Sequence, residues 1–290
     1  MHLEPKKRLG QNFLLDKNIQ RKILACLDLK SSDIVLEIGS GRGELTGLIA
    51  KGVDKIYALE IDSSLCQVIK MNLKCFSNIK VINRDILKFN FKNYFKKNKN
   101  KLKVIGNIPY YISSPILEHL IKFRDRIDTI FITVQREFAR RLIALAGSKD
   151  YGSFSCFVQY YLEPKILLNI KKTCFFPVPG VDSCFVILKV RQEPNVFVKN
   201  ESSFFKIIRA AFNQRRKTLR NSLSGIILPD KLNEFFHTYG IDINIRPEDL
   251  TLADFANLAN SSPFAGNPAH GQGGMRKRSC FGGCHCRGKS

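Results

Sequence analysis

The chain has 290 residues and carries 47 Lys and Arg residues against 25 Asp and Glu residues, which gives a formal net charge of +22 at pH 7. This excess of positive charge is larger than solubility requires and indicates a polyanionic partner. No apolar run approaches the roughly 18 residues of a membrane span, and the sequence contains no long basic amphipathic helix with bulky apolar anchors, so a membrane is the less favoured polyanion.

The N-terminal segment and the cysteines both predict a cytoplasmic protein. The chain opens with Met1-His-Leu-Glu-Pro-Lys-Lys-Arg8, which has neither an apolar signal core nor a long presequence rich in Ser and Arg. Most of the cysteines stand singly among apolar residues, a pattern that predicts buried, reduced thiols. These are Cys26, Cys66, Cys75, Cys156, Cys174 and Cys184.

Strand patterns alternate with helix patterns along the first half of the chain. The predicted strands are Ile34–Ile38, Lys55–Ile61, Lys80–Asn83, Lys103–Ile108 and Thr129–Val134. The predicted helices are Asn18–Leu29, Glu44–Lys51, Ser63–Cys75, Ser114–Phe123 and Arg136–Ala146. This alternation predicts an α/β fold with a doubly wound parallel sheet covered by helices on both faces. Two later segments with strand composition, Ser155–Ile170 and Ser183–Val190, are expected to complete the sheet.

Changes in composition divide the chain into three predicted regions. Residues 1–190 form the catalytic domain, and the apolar pattern lapses around Arg191-Gln-Glu-Pro-Asn195. Residues 191–260 are mostly helical and are predicted to form a second, small domain. Residues 261–290 are rich in Gly, Pro, Ser and basic residues without periodicity, which is typical of disorder. The Cys280–Cys286 spacing in this tail matches no standard zinc pattern, so we expect no metal.

A glycine-rich turn, Gly39-Ser-Gly-Arg-Gly43, follows the first strand of the alternation and permits close approach of a ligand to the backbone. It lacks the Gly-Lys-Ser/Thr of a phosphate-binding loop, and Glu44 stands where a dinucleotide fingerprint has its third Gly or Ala. Acidic residues end the next two strands. Glu60 can accept from ribose hydroxyls and Asp85 from an adenine amino group, which favours S-adenosylmethionine over a dinucleotide. Glu37 either meets the sulfonium end or orients the glycine turn.

The stretch Asn107-Ile-Pro-Tyr110 ends a strand at the same predicted edge and has the properties of a clamp for an aromatic amine. The Asn107 side-chain carbonyl can accept one N–H, and the backbone carbonyl of Ile108 or Pro109 can accept the other. Tyr110 offers a ring for stacking on a base turned out of its helix or presented in a loop. Methyl transfer to such an amine needs positioning and electrostatics but no strong general base.

These motifs resemble the rRNA adenine N6,N6-dimethyltransferases, specifically the small-subunit dimethyladenosine transferases, across roughly residues 5–260. The matching stretches are Leu9–Leu14, Glu37–Thr46, Glu60–Asp62, Arg84–Asp85, Asn107–Tyr110, Gln135–Leu142, Tyr151–Ser155, Phe176–Ser183 and Ala211–Arg220. The resemblance implies a class I S-adenosylmethionine-dependent methyltransferase fold. It also implies N6,N6-dimethylation of two adjacent adenosines in a hairpin loop near the 3′ end of small-subunit (16S) rRNA, contributing to subunit maturation.

The resemblance also assigns residues to the site. The implied cofactor-binding residues are Gln11, Asn12, Leu14, Gly39, Gly41, Glu60, Ile61, Asp85, Ile86 and Asn107. Phe176 is implied to cover the target base on the face opposite Tyr110, so that the catalytic set is Asn107, Pro109, Tyr110 and Phe176. Gly180 departs from the Lys that the family usually has there, which puts one RNA contact in doubt.

The partner predicted from charge is RNA. The helix predicted over Phe204–Asn221 carries basic residues on one side, and these are expected to bind phosphates in a salt-dependent, sequence-independent way. They are Arg209, Arg215, Arg216, Lys217 and Arg220. The resemblance implies small-subunit rRNA within a pre-assembled small ribosomal subunit as the substrate, and we expect a monomer that does not bind membranes.

Two alternatives remain open from the sequence. The first is a large-subunit rRNA adenine methyltransferase that confers antibiotic resistance, since that group shares Asn-Ile-Pro-Tyr. Val181-Asp-Ser183 and Asn213-Gln-Arg-Arg-Lys-Thr-Leu219 fit the small-subunit group better. The second is a non-catalytic nucleic-acid-binding relative, against which the intact acidic residues and Asn107 argue.

Overall fold

The computed structural model describes residues 4–95, 100–214 and 216–261. Its strands are β1 (Phe13–Leu14), β2 (Ile34–Ile38), β3 (Lys55–Glu60), β4 (Ile79–Asn83), β5 (Leu102–Asn107), β6 (Ile127–Gln135), β7 (Leu162–Ile170), β8 (Phe175–Phe176) and β9 (Ser183–Val190). Its α-helices are α1 (Lys17–Cys26), α2 (Glu44–Ala50), α3 (Ser63–Asn72), α4 (Phe91–Tyr94), α5 (Ser113–Lys122), α6 (Arg136–Ile143), α7 (Ser153–Tyr161), α8 (Glu201–Phe212), α9 (Leu219–Ser222), α10 (Pro229–Tyr239) and α11 (Leu252–Ser261).

A seven-stranded sheet, in the order β4-β3-β2-β5-β6-β9-β7, forms the centre of the fold. The first five strands in this order run parallel to one another, whereas β9 pairs antiparallel with both β6 and β7. A separate two-stranded ribbon joins β1 near the N-terminus to β8. The arrangement confirms the predicted doubly wound α/β fold class.

The sheet buries apolar side chains on both faces, because successive residues of a strand point to opposite sides. Leu36 and Val104 belong to one apolar cluster together with residues of α5 and α7. Their strand neighbours Val35 and Ile105 belong to a second cluster that includes residues of α1 and α2. Burial on both sides explains why these strands read as nearly continuous apolar runs in the sequence.

The predicted strand over Ser155–Ile170 is wrong in its first half. Residues Ser153–Tyr161 form α7, and only Leu162–Ile170 form a strand. Aromatic residues favour strands by propensity, but the aromatic residues of this segment lie in α7 and pack against a second helix, α8. The Phe157 ring lies 5.4 Å from that of Phe205 in α8, measured between ring centroids.

The single helix predicted over Phe204–Asn221 is also wrong. Helix α8 ends at Phe212, and α9 begins at Leu219 after Thr218, whose hydroxyl accepts from the Asn221 N–H at 3.4 Å. The six residues 213–218 between the helices are all polar, so a continued helix would have no apolar side chain to bury there.

The boundary predicted near residue 191 stays a prediction. Aromatic side chains nevertheless connect the two predicted regions, since the ring centroids of Tyr160 and Phe204 lie 5.2 Å apart and those of Tyr151 and Phe212 lie 5.8 Å apart. Helix α8 is therefore packed directly against the region that contains α7. The predicted tail, apart from Ser261, lies outside the described residues.

The cysteine prediction holds in part. The thiols are free, and Cys66, Cys156 and Cys184 are buried as expected. The prediction of burial is wrong for three others, because Cys75 is exposed and Cys26 and Cys174 are partly exposed. Cys75 lies three residues beyond the end of α3 at Asn72, and not within the helix as predicted. Within the described residues, no helix has the length and apolar character needed to cross a membrane.

Candidate active site

The carboxyl ends of β2, β3, β4 and β5 meet at one edge of the sheet because these strands are parallel neighbours. A cavity lies at this edge and encloses about 820 Å³, open solvent at its mouth included. Every predicted cofactor-binding residue lines it except Leu14, which lines a smaller neighbouring cavity together with Gly39, Gly41 and Asn107. Of the predicted catalytic residues, Asn107, Pro109 and Tyr110 line the main cavity.

The glycine turn brings the backbone close to the N-terminal segment. Gly41 has φ +57°, a left-handed conformation that L side chains rarely adopt. A Cβ added at Gly41 would lie 3.2 Å from Cδ1 of Phe13, so the absence of a side chain allows the Phe13 ring to lie over the turn. Gly41 therefore permits the left-handed turn and also allows Phe13 to lie close to the backbone at the wall of the cavity.

Glu60 is buried at the end of β3 with its carboxylate held by the backbone. Its Oε2 accepts from the Gly41 N–H at 3.0 Å, and its Oε1 accepts from the Asp62 N–H at 2.9 Å. Burial raises the pKa of Glu60, and these hydrogen bonds oppose that rise. Each oxygen keeps a further lone pair, so the oriented carboxylate can accept from the two hydroxyls of a ribose.

Glu37 lies in the neighbouring smaller cavity and not among the residues that line the main one. Its Oε2 accepts from the Thr46 hydroxyl at 2.5 Å, which ties the end of β2 to α2. Burial raises the pKa of Glu37 to about 7, against the effect of the Thr46 hydrogen bond. The side chain of Ser40, which belongs to the glycine turn, also hydrogen-bonds Glu37, and this contact supports the second of the predicted roles, which is to orient that turn.

Asp85 stands at the cavity with one carboxylate oxygen engaged. Its Oδ1 accepts from the Leu87 N–H at 2.9 Å and caps the short 3₁₀ turn that begins at Ile86. The cap holds the side chain in place. The second oxygen is not used in that cap, which leaves an acceptor for an exocyclic amine.

Asn107 is oriented by a residue almost a hundred positions earlier in the chain. Its Nδ2 donates to the backbone carbonyl of Asn12 at 2.7 Å, so the amide orientation is set and Oδ1 is left as an acceptor. The Pro109 carbonyl already accepts from the Ile112 N–H at 3.2 Å and the Ser113 hydroxyl at 3.4 Å. Of the two predicted backbone acceptors, the Ile108 carbonyl is therefore the better candidate.

The two predicted aromatic walls occupy different positions relative to the cavity. Tyr110 lines it, and its hydroxyl lies 2.7 Å from the Ser183 hydroxyl. Burial raises the pKa of Tyr110, so its phenol stays protonated at neutral pH. Phe176 does not line the cavity, but it pairs with Phe13 in the β1–β8 ribbon and is 48% exposed. Because Phe13 does line the cavity, this pairing places Phe176 beside its rim.

Comparison with known proteins agrees with this geometry. The model of the ribosomal RNA adenine dimethylase family matches residues 3–262. The chain belongs to this family. The ribosomal RNA small subunit methyltransferase A of Lachnoclostridium phytofermentans is 42% identical over 261 residues, which cover 88% of this chain and 90% of that protein.

Solved structures show the same fold. The crystal structure of a dimethyladenosine transferase from Plasmodium falciparum has a TM-score of 0.70 at 26% identity, covering 85% of this chain and 95% of that one. The crystal structure of the 23S rRNA methyltransferase ErmE has a TM-score of 0.69 at 23% identity, covering 86% of this chain and 98% of that one. The second likeness shows the fold alone.

The N-terminal segment of this dimethylase, defined here as residues 4–14, contributes contacts that the sequence did not predict. Lys6 Nζ lies 2.8 Å from both carboxylate oxygens of Asp62, and Gln11 Nε2 donates to Asp62 at 3.2 Å. The Lys6 N–H in turn donates to Gln11 Oε1 at 2.7 Å. Lys6 thus ties Asp62 to the segment whose residues Leu9–Phe13 line the cavity, although its run of basic residues indicated only a polyanion. The one sequence signal was the position of Asp62, two residues after Glu60.

Four of the five predicted RNA-binding residues belong to the described part of the chain, and none of these four lines the dimethylase cavity. Arg209, Arg216, Lys217 and Arg220 are all exposed, but the break between α8 and α9 distributes them over two helices and their connection. They do not form the single helical face that the sequence predicted. Arg215 lies outside the described residues.

Proposed function

We propose that this protein transfers methyl groups from S-adenosylmethionine to the N6 atoms of adenosines in small-subunit rRNA. The observation that carries the proposal is the Asn107 amide, oriented by the Asn12 carbonyl at the wall of a cavity that Glu60 and Asp85 also line. The relatives named as small-subunit methyltransferases support the choice of RNA. In full, the proposal is N6,N6-dimethylation of two adjacent adenosines in a hairpin loop near the 3′ end of 16S rRNA.

The residues of the cavity fit S-adenosylmethionine. Glu60 would hold the ribose hydroxyls and Asp85 the adenine amino group, while Gly41 lets the backbone approach closely. Burial disfavours the charged forms of both Glu60 and Glu37, and a cationic ligand nearby would offset that cost. When bound, S-adenosylmethionine supplies an electrophilic methyl group.

The residues that would act on the amine are Asn107 and Ile108. The exocyclic nitrogen of adenine is a poor nucleophile because its lone pair is delocalised into the ring. Two acceptors, Asn107 Oδ1 and the Ile108 carbonyl, would hold its two N–H groups and favour a pyramidal nitrogen with an available lone pair. The first methylation leaves one N–H, which one of the two acceptors can hold during the second transfer.

The proton released after each transfer needs no dedicated base, because the methylated nitrogen is acidic enough to lose it to water. His119 does not serve this role. Its Nε2 is 2.9 Å from the Phe89 carbonyl, and its ring centroid lies 5.1 Å from that of Phe123. It is a packing residue of the helix that follows the Asn107 turn.

Binding of the RNA is proposed to depend on the exposed basic residues near α8 and α9. Replacement of Arg215 and Arg216 together by Ala should weaken binding to the subunit while leaving binding of S-adenosylhomocysteine unchanged. If both arginines contact phosphates, the negative slope of log affinity against log salt should become shallower by about 1.4 to 1.8 in the double variant. Equal loss of both affinities would contradict this division of labour.

The proposed function is tested by transfer of labelled methyl groups to unmodified small and large ribosomal subunits, followed by nucleoside analysis. We expect N6,N6-dimethyladenosine in the small-subunit RNA only, with Asn107→Ala as the inactive control. Product on the large subunit alone, or no product, would overturn the proposal.

We further propose that the protein acts in the cytoplasm as a monomer and on a pre-assembled subunit. The test compares naked 16S rRNA with assembled small subunits as substrates and determines the mass of the free protein by sedimentation. Equal activity on naked RNA, or a stable dimer, would contradict this part of the proposal.

A further inference from the structure

The segment from Phe176 to Ser183 ends at the start of β9 in a position that is firmly held. Ser183 is 0% exposed and pairs with Gln135 of β6 on one side and with Ile170 of β7 on the other. Its strand is thus internal to the sheet and has a partner on both edges. The sheet therefore fixes the Cβ of Ser183, and the serine hydroxyl can occupy only the three staggered positions about χ1.

Asp182, the preceding residue, adds to this rigidity. Its backbone carbonyl accepts from the Arg136 N–H at 3.0 Å, and its Oδ1 accepts from the Lys172 N–H at 3.1 Å. The Arg136 guanidinium also lies 3.6 Å from Asp182 Oδ2. The chain entering β9 is therefore tied to the ends of β6 and β7 before it reaches Ser183.

Tyr110 is anchored at both ends because of this serine. Its backbone belongs to the turn after Pro109, and its hydroxyl lies 2.7 Å from the Ser183 hydroxyl, 73 residues further along the chain. The ring between the two anchors lines the cavity. Loss of the far anchor would let the ring move about χ1, because only the Cα end would remain attached to rigid structure.

We propose that Ser183 is a positioning residue that fixes the long axis of the Tyr110 ring so that its face meets the target adenine. The stacking part of this proposal rests on the function proposed above. The anchoring of the ring by Ser183 does not depend on a substrate. Stacking is sensitive to such an anchor, because it contributes only when the ring lies against the base at van der Waals distance. The tyrosine hydroxyl thereby acts as an attachment point and not as an acid or base.

The test is a double-mutant cycle of Ser183→Ala and Tyr110→Phe, with kcat and KM measured for methyl transfer to small subunits. We expect each single variant to lower kcat on the order of fivefold, because the net free energy of one hydrogen bond corresponds to about this factor. The KM for S-adenosylmethionine should be unchanged. The double variant should lose no more than either single one, since both changes remove the same interaction. Losses that multiply, or a Ser183→Ala variant with the wild-type kcat, would overturn the proposal.

A matched control separates positioning from general loss of stability. Ser155 is also buried, and its hydroxyl donates to the Arg141 carbonyl at 2.6 Å, away from Tyr110. Ser155→Ala should lower the melting temperature without changing kcat, and an equal fall in kcat there would count against the specific role of Ser183. If Ser183→Ala does not fold, Tyr110→Phe decides alone, because it removes the other partner and keeps the serine. A Tyr110→Phe variant with the wild-type kcat would then refute the proposal.

A readout without substrate distinguishes failure of this inference from failure of the proposed function. Relaxation of ¹³C-labelled tyrosine rings gives the order parameter of the Tyr110 ring axis, with Tyr110→Phe used to assign its signal. The order parameter should fall in Ser183→Ala, and an unchanged value would overturn the anchoring. A wild-type protein that methylates neither subunit would contradict the proposed function, and the ring measurement would still decide the role of Ser183.

Discussion

Asp62 fastens the N-terminal segment beside the cavity that Glu60 and Asp85 line, and its replacement should release that segment. The carboxylate accepts from Lys6 and Gln11, and it also caps α3 by accepting from the Ser64 N–H at 3.1 Å. Asp62→Ala removes all of these contacts. Asp62→Asn is the matched variant, because Asn keeps a side-chain oxygen for the cap but loses the charge that holds Lys6.

The size of the effect follows from the exposure of the partners. The Lys6 side chain is 39% exposed, so solvent screening limits its ion pair with Asp62 to less than about 1 kcal/mol. The Gln11 hydrogen bond contributes about 1 kcal/mol, and the cap of α3 about 1 kcal/mol more. Only the first two hold the N-terminal segment, so its closed state should lose about 1.5 kcal/mol, or roughly tenfold in population relative to the open state.

The assay is hydrogen exchange of the amides of residues 9–15 together with calorimetric binding of S-adenosylhomocysteine. Asp62→Ala should speed exchange of the Leu9 amide, which donates to the Lys6 carbonyl, and of the Leu15 amide, which donates to the Cys174 carbonyl. The affinity for S-adenosylhomocysteine should fall by up to about tenfold in Asp62→Ala, and it should fall by less in Asp62→Asn. Unchanged exchange in Asp62→Ala would refute the fastening.

The pH dependence of this contact has a defined sign. Burial raises the pKa of Asp62, but the hydrogen bonds from Lys6, Gln11 and Ser64 outweigh it and bring the pKa below its ordinary value of 3.8. A lowered carboxyl pKa stabilises the fold above the unfolded-state value, and this stabilisation is lost as the pH falls through the folded-state pKa. The fastening should therefore be constant between about pH 6 and 8.

Three further variants test the site. Asn107→Ala should lower methyl transfer by at least about 10²-fold without weakening subunit binding, measured by filter binding; equal loss of both would contradict its role. Burial raises the pKa of Glu37 from 4.5 to about 7, so wild-type stability should fall as the pH rises through that window. In thermal melts Glu37→Gln should be the more stable protein at pH 8, by up to about 3 kcal/mol, and a pH-independent difference would refute this. Gly41→Ala should lower the free energy of unfolding by about 1–2 kcal/mol, because φ at this position is +57° and the added Cβ would approach Phe13. The same variant should bind S-adenosylhomocysteine more weakly, and an unchanged affinity would contradict the close approach of the ligand to the backbone.

Much of the site could be predicted because it depends on strand ends. Each residue that follows a parallel strand reaches the same edge of the sheet, whatever the path of the intervening helix. This rule places the turn at Gly39, the acids Glu60 and Asp85, and the proposed clamp residue Asn107 at that edge, and all of them line one cavity. The family resemblance added Gln11 and Asn12, which no strand pattern indicates.

One of the two errors of secondary-structure prediction arose where local preference and tertiary packing disagree, and the other at a polar run within the predicted helix. The aromatic residues of Ser153–Tyr161 favour a strand by propensity, yet they form a helix because Phe157 and its neighbours pack against α8. The polar run between Phe212 and Leu219 breaks the predicted basic helix, since a helix there would have no buried face. In the first case the deciding contacts lie outside the local window, whereas in the second the polar run of residues 213–218 is present in the sequence itself.

The sequence by itself determined the alternation of strands and helices, the chemistry at the strand ends and the large positive charge. Only the tertiary structure decided which groups hold that chemistry in place. The Asn12 carbonyl orients Asn107, the Ser183 hydroxyl anchors Tyr110, and Asp62 fastens Lys6. Periodicity encodes which face of an element is buried, but a hydrogen bond between residues 56 to 95 positions apart depends on the paths of the loops between them, and these form only when the whole sheet is assembled.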